Sequence, residues 1–256
     1  MKVFLITMMI CLFLQGCSGE SGGEGQSPAA ESLPEEEMLS EEKILPHEME
    51  LLQSDDPENE NLADMLQKNG GGMMVQIGAG SRLGSGVLYD AEEGQLLILT
   101  AAHVLEEAEA SLRITFADGF SMVCDDFSCP GMGDIGLIRV NASEIPGESL
   151  ELCLLANVDK ESFDGVEPGD GCIVMGSRTG VAAEAYEGTV LEPWIYMEDY
   201  GQYMMWVKAE GKPGMSGGGL FDRQGHFLGI LSGGNEDGEL AVVPLSIILA
   251  ALESEG

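Results

Sequence analysis

Positive charge is what this chain has least of. Its 256 residues carry 11 Lys and Arg against 45 Asp and Glu, a net charge of −34 at pH 7. Phosphate binding needs clustered cations, so nucleic acid is not an expected partner. An anionic membrane surface would repel the chain for the same reason. Histidine is scarcer still: any imidazole base must be His47, His103 or His226. The apolar run at the N-terminus, Val3–Leu14, is twelve residues long and too short to cross a bilayer comfortably. The cysteines include no C-x-x-C pair, and no histidine lies close to those beyond the first seventeen residues, which argues against a zinc site. No metal or other cofactor is expected.

What is present starts with an address. Lys2 followed by that apolar run has the form of a signal peptide. It leads into Leu14-Gln15-Gly16-Cys17, which resembles the lipobox of bacterial lipoproteins, where the cysteine is lipidated and becomes N-terminal after cleavage. Gln15 is an unusual residue for such a box. The other reading is an ordinary secretory signal cut near Gly16–Ser18. Both export the protein, either lipid-anchored at a bacterial membrane through Cys17 or secreted. Export permits disulfides. Cys124, Cys129, Cys153 and Cys172 could then form two bridges, in any of three connectivities, or remain as four buried thiols.

Composition divides the remainder. Residues 18–67 hold fifteen Asp and Glu against the single Lys43. Such a segment cannot bury enough apolar surface to offset its ordering entropy, so residues 18–70 are expected to be an acidic, largely disordered tether. Within it, Leu62–Lys68 (LADMLQK) could form one helix. From residue 71 the texture changes to short β-like runs (MMVQIG, LLILTAA, IGLIRV, CIVMG, FLGILS, LAVVPL) separated by glycine-containing turns. That pattern predicts an all-β barrel or sandwich over 71–256, with a short helix at about Ser246–Glu253. No alternation of strands and helices suggests an α/β fold.

Chemistry concentrates in three places. Ser216 lies in GKPGMSGGGL, where glycines allow a tight bend and backbone N–H groups can face a reacting carbonyl. A hydroxyl is a weak nucleophile and needs a base, usually histidine, oriented by a carboxylate. His47 falls in the acidic stretch and His226 just after a turn, which leaves His103, directly after the apolar run LLILTAA. Asp134 precedes another apolar run in GDIGLIRV. Gly214-Met215-Ser216-Gly217-Gly218 also satisfies the G-x-S-x-G pattern of α/β-hydrolases. That family orders its residues Ser, Asp, His, whereas this chain runs His103, Asp134, Ser216.

LTAAHV, GDIGLIRV and GMSGG, in that order on an all-β background, resemble the trypsin-like (chymotrypsin-fold) serine peptidases. The likeness is closest to the bacterial Deg/HtrA-type peptidases. GSGVLYDAEEGQLLILTAAHV resembles their G-S-G-V segment with T-x-x-H-V. VEPGDGCIVMGSRTG resembles their V-x-A-I-G-x-P-x-G run, and PGMSGG their P-G-N-S-G-G. The resemblance covers about Gly84 to Leu252, and no PDZ domain is expected after it. It implies two six-stranded antiparallel β-barrels meeting in a cleft, with His103 and Asp134 on the first and Ser216 on the second. It further implies Ser216 as nucleophile, His103 as base, Asp134 as the orienting acid, and Gly214 and Ser216 N–H groups as oxyanion hole. FLGILSGG resembles the strand that binds substrate, so Ser232 and Gly233 are candidates to pair with a polypeptide substrate.

Two departures from the family pattern stand out. Met215 replaces the usual Asp or Asn, so it cannot receive the ammonium of a newly cut N-terminus, and no proteolytic activation is expected. Gly219 replaces a usual proline. Glu210, six residues before Ser216, has the spacing of a specificity acid for basic P1 residues, although solvent exposure is the alternative. The expected function is a serine endopeptidase. A non-catalytic or gated peptide-binding module on the same fold is the other reading.

Overall fold

The computed structural model describes residues 46–48 and 62–255. The leader, the lipobox with Cys17, and most of the acidic stretch lie outside the described residues. The described elements begin with β1 (His47–Glu48), α1 (Leu62–Gly70), β2 (Met74–Ala79), β3 (Arg82–Glu92), β4 (Gln95–Thr100) and α2 (Ala102–Leu105). They continue with β5 (Leu112–Thr115), β6 (Ser121–Cys124), β7 (Phe127–Ser128), β8 (Gly136–Asn141), α3 (Gly147–Leu150), β9 (Leu154–Leu155) and α4 (Lys160–Asp164). The second half holds β10 (Gly171–Gly176), β11 (Glu184–Met197), β12 (Gln202–Ala209), β13 (Gly219–Asp222), β14 (Phe227–Gly234), β15 (Glu239–Pro244) and α5 (Leu245–Glu255).

Two antiparallel β-barrels result, as the family resemblance implies, with seven strands in the first where six were expected. The first is a seven-stranded sheet in the order β6-β5-β2-β3-β4-β8-β7. The seventh strand is the two-residue β7, which pairs with β8 through Phe127 and Ser128. The sheet curls until its edges nearly meet: the Cys124 thiol at the end of β6 donates to the Arg139 carbonyl on β8 at 3.3 Å. The second barrel is closed, in the order β10-β11-β12-β15-β14-β13. Closure leaves no exposed edge to template aggregation. Pro193 falls within the second of two shifts of register of β11 against β12, where a missing N–H is tolerated.

Alternating side chains fill three apolar clusters. Val75, Ile77, Leu88, Ile98, Ile114 and Ile138 pack inside the first barrel. Val174, Val190, Met205, Val207, Leu220 and Val242 pack inside the second. The third cluster is the seam between them, joining Met74, Val87, Leu99 and Leu137 to Ile173, Phe221, Phe227 and Ile230. Phe221 and Phe227 meet edge to face there, with ring centroids 5.7 Å apart. Full burial of one such ring contributes about 1.5–3 kcal/mol. α5 covers the seam with Leu245, Ile248 and Ala251 on one face. α1 does the same with Ala63 and Leu66, although it lies in the stretch that composition assigns to the acidic tether. Its net polarity hides a short apolar face, and tertiary packing decides the outcome.

The cysteines follow neither sequence expectation. All four are free; Cys124, Cys153 and Cys172 are buried, and Cys129 is exposed. Burial pushes the Cys153 and Cys172 thiols up to about 12, so both stay protonated and inert at neutral pH. Among these four, Cys129 alone should react quickly with a thiol reagent in the native protein, and the other three should follow on unfolding. Equal reactivity before denaturant, or four unreactive cysteines after it, would contradict this packing.

Candidate active site

His103 owes its position to the end of β4. The chain leaves the strand at Thr100 and turns at once into α2, which sets the imidazole at the rim of the first barrel. Asp134, in the loop before β8, grips it twice. One carboxylate oxygen accepts from the His103 backbone N–H at 2.9 Å, and the other contacts Nδ1 at 2.8 Å. The Ser232 hydroxyl, from β14 of the second barrel, donates to the same Oδ2. Burial by itself would push the Asp134 carboxyl up. The hydrogen bonds from the His103 ring, the Ser232 hydroxyl and the His103 backbone outweigh it and hold the group below its ordinary value. Ionised Asp134 therefore makes Nδ1 the protonated nitrogen and leaves the Nε2 lone pair for another partner.

Ser216 is the second residue of the latter of two consecutive turns in the loop from β12 to β13. Met215 N–H donates to the Lys212 carbonyl at 3.1 Å, and Gly218 N–H donates to the Met215 carbonyl at 2.8 Å. The third residue of each turn, Gly214 (φ +94°) and Gly217 (φ +83°), has the positive φ that a type II turn demands. A side chain at Gly217 would also collide with the Ser85 carbonyl and the Thr100 hydroxyl of the first barrel. Among the described residues, neither the Gly214 nor the Ser216 N–H is engaged in a hydrogen bond. The Ser216 hydroxyl donates to the Ser232 carbonyl at 3.4 Å, and no hydrogen bond joins it to the imidazole.

The other two histidines are placed elsewhere. His47 is exposed on β1, which pairs in parallel with β9. His226 belongs to the β13–β14 turn, at the end of that hairpin away from Ser216. Its Nδ1 lies 2.7 Å from Asp222, whose other oxygen accepts from the N–H groups of Gln224, Gly225 and His226.

A cavity of about 250 Å³ opens beside Ser216, lined by Lys212, Pro213, Leu231, Gly233, Gly234 and Leu240 among others. Buried Leu231 and Leu240 give it an apolar side, and Lys212, Ser216 and Asn235 a polar one. Glu210 does not line it: its side chain is 61% exposed and pairs with Lys212 at 3.3 Å. Lys212 is drawn outward into a polar group with the Tyr186 hydroxyl and Glu184, while Arg178 holds the other side of Glu184 at 2.9 Å. Tyr200, from the tip of the β11–β12 hairpin, covers Gly233 so closely that a side-chain carbon there would lie 2.5 Å from its hydroxyl.

Ser85, Thr100 and Tyr200 belong to this neighbourhood without a sequence signal of their own. Ser85 was legible as part of G-S-G, and nothing in that triplet states which atoms it binds. Tyr200 lies 16 residues from Ser216 in a hairpin with no recognisable motif.

Met215 explains itself once its surroundings are known. It is fully buried among the apolar residues of the second barrel, next to Val174, Leu220 and Leu231 in the same cluster. A carboxylate there would be an unpaired buried charge. Met215→Asp should destabilise the protein by about 3–5 kcal/mol, whereas Met215→Leu should cost less than about 1.5. Denaturant unfolding of both variants checks this; equal stabilities would contradict the apolar environment.

Comparison with known proteins agrees with this geometry. The family model described as a trypsin-like peptidase domain matches residues 84–230, more than half of the chain. The "Serine protease HtrA-like" protein of Staphylococcus aureus (strain USA300) is 26% identical over 165 residues, 59% of this chain. The matched part is 20% of that relative's length. Among known structures, the HtrA-type protease AlgW with a tripeptide aligns with a TM-score of 0.60 at 22% identity, covering 76% of this chain and 63% of that one. The Rv3671c protease of M. tuberculosis H37Rv, in its inactive form, aligns with a TM-score of 0.58 at 18% identity, covering 80% and 98%. Such likenesses establish the fold, and the family match over the stretch that holds His103, Asp134 and Ser216 establishes more: the chain belongs to the trypsin-like peptidases.

Proposed function

We propose that the protein is a serine endopeptidase that cleaves polypeptides through an acyl-enzyme on Ser216. The observation that carries this is the hydrogen-bonded His103–Asp134 unit beside a serine whose own N–H, with that of Gly214, is left unengaged. In this reading substrate binding turns the Ser216 hydroxyl away from the Ser232 carbonyl and onto His103 Nε2. Hydrogen bonds of this kind are often long or misaligned before substrate arrives. His103 takes the proton as Oγ attacks the scissile carbonyl, and then gives it to the leaving amine. Asp134 keeps the ring in the right tautomer and stabilises the imidazolium. The developing oxyanion accepts from Gly214 and Ser216 N–H; loss of one such donor typically costs about 3 kcal/mol of the barrier. Water then resolves the ester by the same relay.

The substrate's backbone would add as a strand along Ser232–Gly234, which gives affinity without side-chain selectivity. The Leu231 and Leu240 side of the cavity beside Ser216 suits an aliphatic P1 side chain. Glu210 is not in position to select a basic one. We further propose export, with the peptidase domain held at the outer face of a bacterial membrane by a diacylated Cys17. Two chains give stable attachment where one would be marginal. Mass spectrometry of the mature N-terminal peptide should show acylated Cys17. An unmodified N-terminus on protein recovered from the medium would remove the anchor from the account.

A gated or purely peptide-binding protein is the second reading, and the Ser216–Ser232 hydrogen bond is what favours it. One experiment separates the two. A fluorophosphonate probe should label Ser216 of the purified full chain without prior trimming by another protease. Ser216→Ala and His103→Ala should each abolish most peptide turnover, with little further loss when combined, because the groups act as a unit. Asp134→Asn should lower the rate steeply by favouring the wrong tautomer, while changes at Asp125 or Asp126 should do far less. A folded protein that takes no label across several pH values and substrates would favour the binding module.

A further inference from the structure

Ser85 lies on β3 in the first barrel and is fully buried, yet all four of its hydrogen-bonding contacts bear on the site. Its backbone N–H donates to the Ser216 carbonyl at 2.8 Å. Its hydroxyl donates to the Gly214 carbonyl at 2.7 Å and accepts from the Ser177 N–H at 2.9 Å. Its own carbonyl accepts from the buried Thr100 hydroxyl at 2.7 Å, on the strand that leads to His103. A serine hydroxyl has one proton and two lone pairs, so its orientation here is fixed by having a donor on one side and an acceptor on the other.

Gly214 and Ser216 are the two residues whose N–H groups face the reacting carbonyl in the proposed function. Ser85 holds the carbonyl of both. Those carbonyls lie in the Gly214–Met215 and Ser216–Gly217 peptide planes, whose N–H groups donate to the Lys212 and Leu231 carbonyls. The two anchored planes flank the Met215–Ser216 peptide and leave its N–H, and the Gly214 N–H next to the first plane, to the cleft. A Pro-Gly turn has little rigidity of its own, since glycine adopts positive and negative φ with nearly equal ease. Something outside the loop must choose between the conformations open to Lys212–Met215. Gly84 and Gly217 make room for that contact: a side chain at Gly84 would strike Val104 at 2.6 Å, and one at Gly217 would strike Ser85 itself.

We propose that Ser85 is the positioning residue that latches the oxyanion-hole loop of the second barrel to the first. This rests on the peptidase reading for its kinetic consequence but not for its structural one. Ser85 touches no reacting atom. It sets where two backbone donors point, and a displacement of about 1 Å in such groups can cost about a hundredfold in rate.

The test compares the full chain with Ser85→Ala and Ser85→Cys, the second retaining bulk while weakening both donor and acceptor. Amide resonances of Gly214 and Ser216, read with selective ¹⁵N labelling, report the loop whether or not the protein cleaves anything. The latch requires both resonances to move in Ser85→Ala, with a smaller shift in Ser85→Cys. It also requires kcat to fall about tenfold to a hundredfold with KM within about twofold. Affinity for a peptide boronic acid, which forms a tetrahedral adduct, should fall by the same factor as kcat, and the pH at half-maximal kcat should not move. Unmoved resonances, or a loss expressed in KM, would overturn the proposal. So would unfolding of both variants, which would make Ser85 a residue of the fold at large. An unsubstituted chain that neither turns over peptide nor takes a fluorophosphonate would refute the peptidase reading instead, with the resonances still deciding the latch.

Discussion

The closeness of the two barrels is the constraint from which the rest of the site follows. Where the β12–β13 loop crosses onto β3 and β4, the approach is backbone to backbone, and no side chain fits at Gly217. Apolar packing of Met74, Val87, Leu99 and Leu137 against Phe221, Phe227 and Ile230 sets that distance over a wide area. Hydrogen bonds then set orientation: Ser85 from the first barrel binds the loop that carries Ser216, and Ser232 from the second binds the carboxylate that orients His103. Neither barrel alone contains a complete site. The hydrophobic seam brings the groups together, and the polar contacts across it decide which atoms face the cleft.

Electrostatics at this seam run against the bulk charge of the chain. A protein with a net charge of −34 gains little from one more buried carboxylate, and burial alone would favour protonated Asp134. Three hydrogen bonds reverse that preference locally. Charge elsewhere near the loop is handled differently. Glu184 lies below its ordinary range, through the Tyr186 hydroxyl first and then Arg178 and Lys212, and it pairs with both cations. At position 215 the molecule dispenses with charge altogether and uses methionine to fill the barrel.

Much of this was legible in the sequence, because the groups that need special backbone or special chemistry are spelled out locally. The strands announced themselves through apolar runs between glycine turns, and the order His103, Asp134, Ser216 selected one family over another. What escaped was set by tertiary contact. The helix at Leu62–Lys68 was legible, but the docking of its Ala63 and Leu66 on the seam was not. The cysteines sit where burial, not pairing, suits them, with Cys124 and Cys153 in the first barrel's interior and Cys172 in the second's. Glu210 has the spacing of a specificity acid, but Lys212 and solvent hold it outside the cavity. Ser85 and Tyr200 act over 131 and 33 residues of sequence, on Ser216 and Gly233 respectively, a separation that no local pattern can encode.

In the proposed function the seam between the barrels assembles an oxyanion hole around Ser216. The most direct measurement is a crystal structure of the full chain with a peptide boronic acid carrying an aliphatic P1 side chain. The expected result is a covalent adduct on Ser216 Oγ, with its oxygen accepting from the Gly214 and Ser216 N–H groups and its backbone paired along Ser232–Gly234. A peptide seated on that strand with no bond to Ser216, or an adduct whose oxygen faces solvent, would contradict it.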